Sequence, residues 1–566
     1  MNSNNQKIPS LTNSEFMRGL LITFFALFSL TLLGQVDSTS TGEVVDAEIV
    51  IQKDRQIVLP IAGKMSQTIR NGIGEIQPLN FSYQPVNPEF SWPSYKSEVS
   101  FKEISDNLPE AVYQNSIKAG YGNFQSPLLE LKYFQNWDKL RTNTRLFHES
   151  FQEGPVKKSN SSSSQTELSL GANYKSNAVE FSPLLQMERS GYRFYGNSNR
   201  QNTGFSSLEL DKLSRTSVDF GVGLQGGSKD VTYFVRPMIS NTDQSITDGP
   251  GINSEFGFEV QGGLDLKVDK TISAGFDIQG NTSTYKGSIE YDRSLFTIKP
   301  WLSRKSTDFL IKAGFGLSTG KSGGQSSETG FYPFVDTEWK LDPKWSISGS
   351  LGSGIKWNSL NRILVENQFL DDSLAIQNSE LALSIGGEIK GSITNNLLVS
   401  SIVKWESYNE LPFYLASNDS SKFILAYDDG NTQVLSFKGR ITYSPALNTS
   451  VGTEVGLFNY STESLDRAWH LPSFSFKFFI IKNIQEKFFI GTELLALGGI
   501  EAPGSTAVEI IDLDSFLDLN LNLDYKATDR FSVFLKLNNL LNKEYERYVG
   551  YPVRGTSFKV GAKYRF

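Results

Sequence analysis

The side chains best suited to chemistry are few. His148 and His470 are the only histidines in 566 residues, and there is no cysteine. Thiolate nucleophiles, thiolate metal sites, disulfides and anchoring through a lipidated cysteine are therefore excluded. Hydrolysis by a Ser/His or Asp/His constellation needs a base beside a nucleophile. His148 stands in Phe147-His-Glu-Ser150 and His470 in Arg467-Ala-Trp-His-Leu471, and neither context is a nucleophile motif. Asp371-Asp372 and Asp428-Asp-Gly-Asn431 could gather a hard cation, but they lack the regular oxygen spacing of a calcium loop and read as turns. The expectation is a non-enzyme with no catalytic residue, no metal and no cofactor.

The charges that do follow a pattern follow a period of two. Leu517, Leu519, Leu521, Leu523 and Tyr525 alternate with Asp518, Asn520, Asn522 and Asp524. After the turn Lys526-Ala-Thr-Asp-Arg530, Phe531, Val533, Leu535 and Leu537 alternate with Ser532, Lys536 and Asn538. In the terminal strand, Phe558, Val560, Ala562, Tyr564 and Phe566 oppose Lys559, Gly561, Lys563 and Arg565. Alternation by two places these sets on opposite faces of strands. Taken alone, the terminal strand fits either the edge of a soluble β-sandwich or the wall of a membrane barrel. Carboxylates on the inner face of the preceding hairpin decide between them, because a dry core would penalise them whereas a watery lumen keeps them solvated. Asp518, Asn520, Asn522, Asp524, Lys536, Lys559, Lys563 and Arg565 are thus candidate lumen-facing residues, and Phe558, Val560, Tyr564 and Phe566 a candidate C-terminal insertion signal.

The same alternation runs back through Leu435, Phe437 and Ile441 to Phe256, Phe258 and Val260. Only every second residue of a barrel strand meets lipid, which explains a slightly polar mean hydropathy in a membrane protein. The fold class expected is all-β, a transmembrane antiparallel β-barrel of about 22 strands, with a range of roughly 16 to 24. Short connectors such as Trp137-Asp-Lys139, Leu341-Asp-Pro-Lys344 and Thr394-Asn-Asn396 contrast with longer polar stretches at Glu149 to Gln165, Asn241 to Asn253, Lys356 to Glu380 and Leu540 to Thr556. Barrels of this class put short turns in the periplasm and long loops outside.

Arg18 followed by the apolar run from Leu20 to Leu33 and then Gly34-Gln35 reads as a secretory signal over residues 1–34, the alternative being an uncleaved helix. Residues 35–111, with Pro78, Pro85, Pro88 and Pro93, read as an extended periplasmic arm, and residues 112–566 as the barrel. Export and barrel together point to the outer membrane of a didermal bacterium. The expected partners are outer-membrane lipid, the insertion machinery and a possible periplasmic or surface protein. The net charge of −7 implies no nucleic acid.

The element Asn538-Asn-Leu-Leu-Asn-Lys-Glu-Tyr545, then Val549-Gly-Tyr-Pro-Val-Arg-Gly-Thr556 and the Phe566-terminated strand, resembles the closing hairpin of TonB-dependent outer-membrane receptors. Arg554-Gly555 stands where that family usually has Pro-Gly-Arg. The resemblance is specific over about the last fifty residues. It implies a receptor-type barrel, while the arm is shorter than the plug those receptors carry, so a barrel without a plug is expected. Two functions then stand side by side. One is passage or binding of an unknown solute at the cell surface; the other is a non-conducting scaffold that recruits partners through its arm.

Overall fold

A computed structural model describes residues 115–566, apart from 157–158, 177, 197–209, 248, 324–326, 418–420, 447 and 505–508. The expected signal, the arm, the start of the barrel at residue 112 and the question of a plug lie outside the described residues. Within them, 22 antiparallel strands close on themselves. The first, Ser116–Gly122, pairs with Leu128–Asn136 on one side and with the last, Ser557–Arg565, on the other. Seven residue pairs form that closing seam, from Ser116 opposite Arg565 to Gly122 opposite Lys559. Closure leaves no unpaired edge, as a wall in hydrocarbon requires.

The exterior is apolar because the pleat sends every second side chain outward. Phe256, Phe331, Leu398, Val560 and Tyr564 are among the large apolar residues exposed on it. So large an apolar exterior on a closed wall is suited to lipid rather than water. The alternation breaks at Phe534, which points inward and is buried. Its ring lies over the inner face at two glycines; a Cβ at Gly561 or Gly120 would come within 2.5 or 2.7 Å of it. Lys118 Nζ sits 4.1 Å from the ring centroid on the same surface.

Both chain ends of the described barrel lie at the end with short connections. There, successive strands are joined by two to four residues, as in 137–139, 341–344 and 395–396. The opposite end carries the long connections 193–212, 357–378, 410–430, 462–473, 499–515 and 539–556. Several strands run far beyond the roughly 9–11 residues that cross a bilayer, the longest being the 17-residue Gly251–Lys267. Strand pairing therefore invades stretches with loop-like composition. Asn241 to Asn253, expected as a long loop, is mostly strand, since Val231–Ile246 and Gly251–Lys267 pair to within a short turn. Ser/Thr/Asn-rich sequence resembles loop but suits strands above the membrane, where neither face needs to be apolar.

Candidate functional site

The long connections fold over the mouth instead of standing away from it. At their centre is helix α1, Leu360–Glu366, in a connection expected to be irregular. Ser359 caps it, its side chain accepting from the Arg362 amide at 3.3 Å. Leu360, Ile363 and Leu364, spaced by three and four, form its buried face. With Phe369, Leu370, Leu374 and Ile376 they begin an apolar cluster that Tyr414, Phe423, Tyr548 and Tyr551 extend from other connections.

The cap is clipped to the wall by polar contacts. Glu255, on the inner face of Gly251–Lys267, accepts the Leu360 amide at 2.6 Å and the Ser283 hydroxyl at 2.8 Å. Arg293 donates to Glu255 at 3.0 Å and to Asn378 at 2.8 Å, and lies over the Trp357 ring at 4.1 Å. Its side chain is fully buried. A few residues along, Asn253 donates to the Asp371 carbonyl at 3.0 Å and Tyr291 donates to that of Leu374 at 2.8 Å. Arg215 bridges Glu188 of the wall and Asn361 of α1.

On its other side the cap meets connections from across the barrel. Tyr548 donates to the Glu366 carbonyl at 2.8 Å, and the Tyr551 and Phe369 rings stack 3.6 Å apart. Tyr195 packs on Tyr551 at 4.9 Å and donates to the Pro552 carbonyl at 3.3 Å. Arg547 donates to the His470 carbonyl, and His470 Nδ1 lies 3.0 Å from the Tyr414 carbonyl. Contacts thus pass from the wall at Glu255 and Arg293, through α1, to the connection between the last two strands. They cross the mouth.

Burial sets the electrostatics of this cap. It pushes the His470 imidazole down to about 3, the nearby Arg547 guanidinium adding to the effect, so the ring is neutral at ordinary pH. Burial raises the Glu366 carboxyl, against the pull of Arg547 and Arg362. At Asp428 burial is outweighed by donors from the Glu463, Leu465 and Ser464 amides, which hold its carboxyl at about 2. That carboxylate ties two connections together. Asp371 does similar work, accepting from Ser417 at 3.0 Å with Lys422 at 3.6 Å. Both acidic turns are ties between connections. Among the described residues no three His, Cys, Asp or Glu side chains converge as a metal site.

Of the terminal residues singled out by sequence, Phe558, Val560, Tyr564 and Phe566 are exposed on the exterior. The polar set lies on the opposite side of the wall, although its members do not form one cluster. Lys559 is buried against Glu149 and over Phe151. Asp518 accepts from Tyr545 at 2.8 Å. Asn520 is fully buried and accepts the Asn539 amide at 3.1 Å, so it anchors the turn after Phe531–Asn538. Register puts Asn522 opposite Lys536, Lys536 opposite Lys559 and Lys563 opposite Lys118. Asp524 lies opposite the inward Phe534, and Arg565 opposite Ser116. His148 meets Thr166 at 2.8 Å on the wall. The residues that build the cap's core lie outside the candidate set, although the Ser359 cap before apolar positions 360, 363 and 364 and the spacing of Tyr545, Tyr548 and Tyr551 are visible signals.

No protein-family model and no curated protein matches the chain. Solved structures do. The FrpB iron transporter from Neisseria meningitidis (F3-3 variant) superposes with a TM-score of 0.65 at 10% identity, over 80% of this chain and 81% of that one. The ferric-catecholate import receptor Fiu from K12 E. coli, in its closed form, gives 0.59 at 10% identity over 80% and 82%. The copper transporter OprC gives 0.59 at 11% identity over 81% and 82%. The barrel has the TonB-dependent receptor fold. A receptor-type barrel of 22 strands agrees with the terminal motif, and at this identity the likeness speaks for the fold.

Proposed function

We propose that this chain is an outer-membrane barrel for the gated passage or binding of a solute at the cell surface, closed at its loop end in the state described. The observation that carries the reading is the cap: a barrel of this width would conduct if nothing filled it, and here α1 and the aromatic connections span the mouth. Short turns face the periplasm, and Phe558, Val560, Tyr564 and Phe566 present the insertion signal to the assembly machinery. The lumen-facing charges, from Asp518 and Asp524 to Lys563 and Arg565, keep the interior wet. Fold neighbours that include an iron transporter and a copper transporter support transport as the class. A scaffold that conducts nothing is the second reading, favoured by the density of the cap's apolar packing.

Locking the cap separates the two. The Ser288 amide donates to the Asp372 carbonyl at 3.1 Å, which brings a wall turn and the α1 connection within disulfide reach. With no native cysteine, Ser288→Cys/Asp372→Cys forms a single engineered bond. In a medium where loss of the protein slows growth, gated passage predicts that the oxidised variant grows like the deletion strain and recovers with reductant. A locked barrel that supports growth as well as wild type refutes passage and favours the scaffold.

A further inference from the structure

A recess of about 300 Å³ opens on the outer wall, where four neighbouring strands, Gly251–Lys267, Ile272–Lys286, Glu290–Lys305 and Phe309–Lys321, run side by side. Register defines its surroundings row by row. On the short-turn side lies a row without polar side chains, Gly262, Ile278, Ile298 and Leu317. The next row, Val260, Gly280, Phe296 and Thr319, contains the floor. Above it come Phe258, Thr282, Ser294 and Lys321, and then Phe256, Thr284 and Asp292. Within a few residues the exterior passes from hydrocarbon-like to hydroxyl-bearing and then to charged. That transition is the signature of a lipid-water interface on a barrel.

The recess exists because Gly280 has no side chain between Val260 and Phe296. A Cβ there would meet Val260 at 3.1 Å and Phe296 at 3.7 Å, so the space beyond is free for another molecule. Thr282, Ser294 and Thr319 line the same recess and are exposed on the exterior. Its occupant follows from continuity with the apolar exterior: a hollow in a lipid-facing wall is filled from the lipid side. Apolar groups along the floor call for an acyl chain, and the hydroxyls of Thr282 and Ser294 in the row above it and of Thr319 at its end call for a polar head that accepts and donates hydrogen bonds.

We propose that this recess is a specific lipid site, seating one membrane lipid of the loop-side leaflet with an acyl chain against Val260, Gly280 and Phe296 and its head at Thr282, Ser294 and Thr319. The proposal does not depend on whether the barrel conducts. Native mass spectrometry of the full-length protein, extracted from outer membrane in mild detergent, tests it. Wild type should retain one lipid per barrel, and Gly280→Leu, which fills the recess, should lower its occupancy at least tenfold. Ala274→Leu, on the exterior well below the hydroxyl rows, should leave occupancy unchanged. Heat-modifiability confirms that each variant is folded, and Ser294→Val/Thr319→Val provides a milder second probe that should weaken retention without filling the space. Absence of bound lipid from wild type, equal retention in folded Gly280→Leu, or a recess occupied by a second copy of the chain that Gly280→Leu disrupts would each overturn the proposal.

Discussion

Removing Arg293 should loosen the cap without unfolding the barrel. The guanidinium is fully buried between Glu255 of the wall, Asn378 at the end of the cap connection and the Trp357 ring. Taking away one partner of a buried pair costs about 3–5 kcal/mol, because the remaining charge is left uncompensated. Glu255 would keep the Leu360 amide and the Ser283 hydroxyl, so the lower end, about 3 kcal/mol, applies to Arg293→Met. At about 1.4 kcal/mol for each factor of ten, the balance between docked and undocked cap moves by about two powers of ten. Arg293→Met/Glu255→Met removes both charges and should recover part of that, with about 1–2 kcal/mol still lost because the Leu360 amide has no acceptor. Open probability in planar bilayers reads the effect. The expected order is wild type most closed, the double variant intermediate and Arg293→Met most open. A folded Arg293→Met as silent as wild type, or a double variant leakier than the single, would refute the clamp.

Deleting Tyr564 to Phe566 removes the pairing of Tyr564 with Ile117 and Phe531 and the bond from the Phe566 amide to the Asn115 carbonyl. The shortened chain should accumulate in the periplasm while Lys563→Ala assembles; equal outer-membrane levels on fractionation would remove the insertion argument. Acid should loosen the cap through His470, whose value falls from 6.5 in solvent to about 3 when docked. Its stabilising contribution is complete above pH 6.5 and is lost at about 1.4 kcal/mol per unit as pH falls from there toward 3. Glu366, raised on docking, acts in the opposite sense and favours the docked cap at low pH. Comparing open probability at pH 7 and 5 in wild type and His470→Asn isolates the histidine, since asparagine tolerates the positive φ of 61° at that position; an unchanged difference between the two pH values would exclude it.

The strand count and the two-sided wall were legible because lipid on one face and water on the other impose a period of two along most of the wall. Leu517 to Tyr525 and Phe558 to Phe566 state it plainly. Phe534 escaped because its inward position is set by Gly561 and Gly120, which are neighbours only after the seam closes. Asn520 read as one more wet position, yet it is fully buried by a turn that begins nineteen residues later, at Asn539. The loop cap was the least legible part. Its defining bonds join Tyr195 to Pro552 and Tyr548 to Glu366, which are 357 and 182 residues apart, and aromatic residues in connections carry no periodicity to announce such meetings.

The composition of the cap follows from the wall it must close. An inner wall made for water offers carboxylates, amides and hydroxyls, so an inserted element cannot dock there by apolar burial alone. The chain instead gathers most of an apolar core within its own connections: Leu360, Ile363, Leu364, Phe369, Leu370, Leu374 and Ile376 from one, Tyr414 and Phe423 from another, Tyr548 and Tyr551 from a third. Wall strands add fewer members, Tyr192, Leu213 and Tyr285. The wall contributes its grip mainly through Glu255, Arg293, Asn253 and Arg215. Polar clips exchange readily for water, whereas exposing the apolar core would cost about 25 cal/mol for every Å² uncovered. Under the gated reading, the favoured line of separation therefore runs between cap and wall, where it would part the polar clips and the few wall members of the core and leave the packing among the connections together.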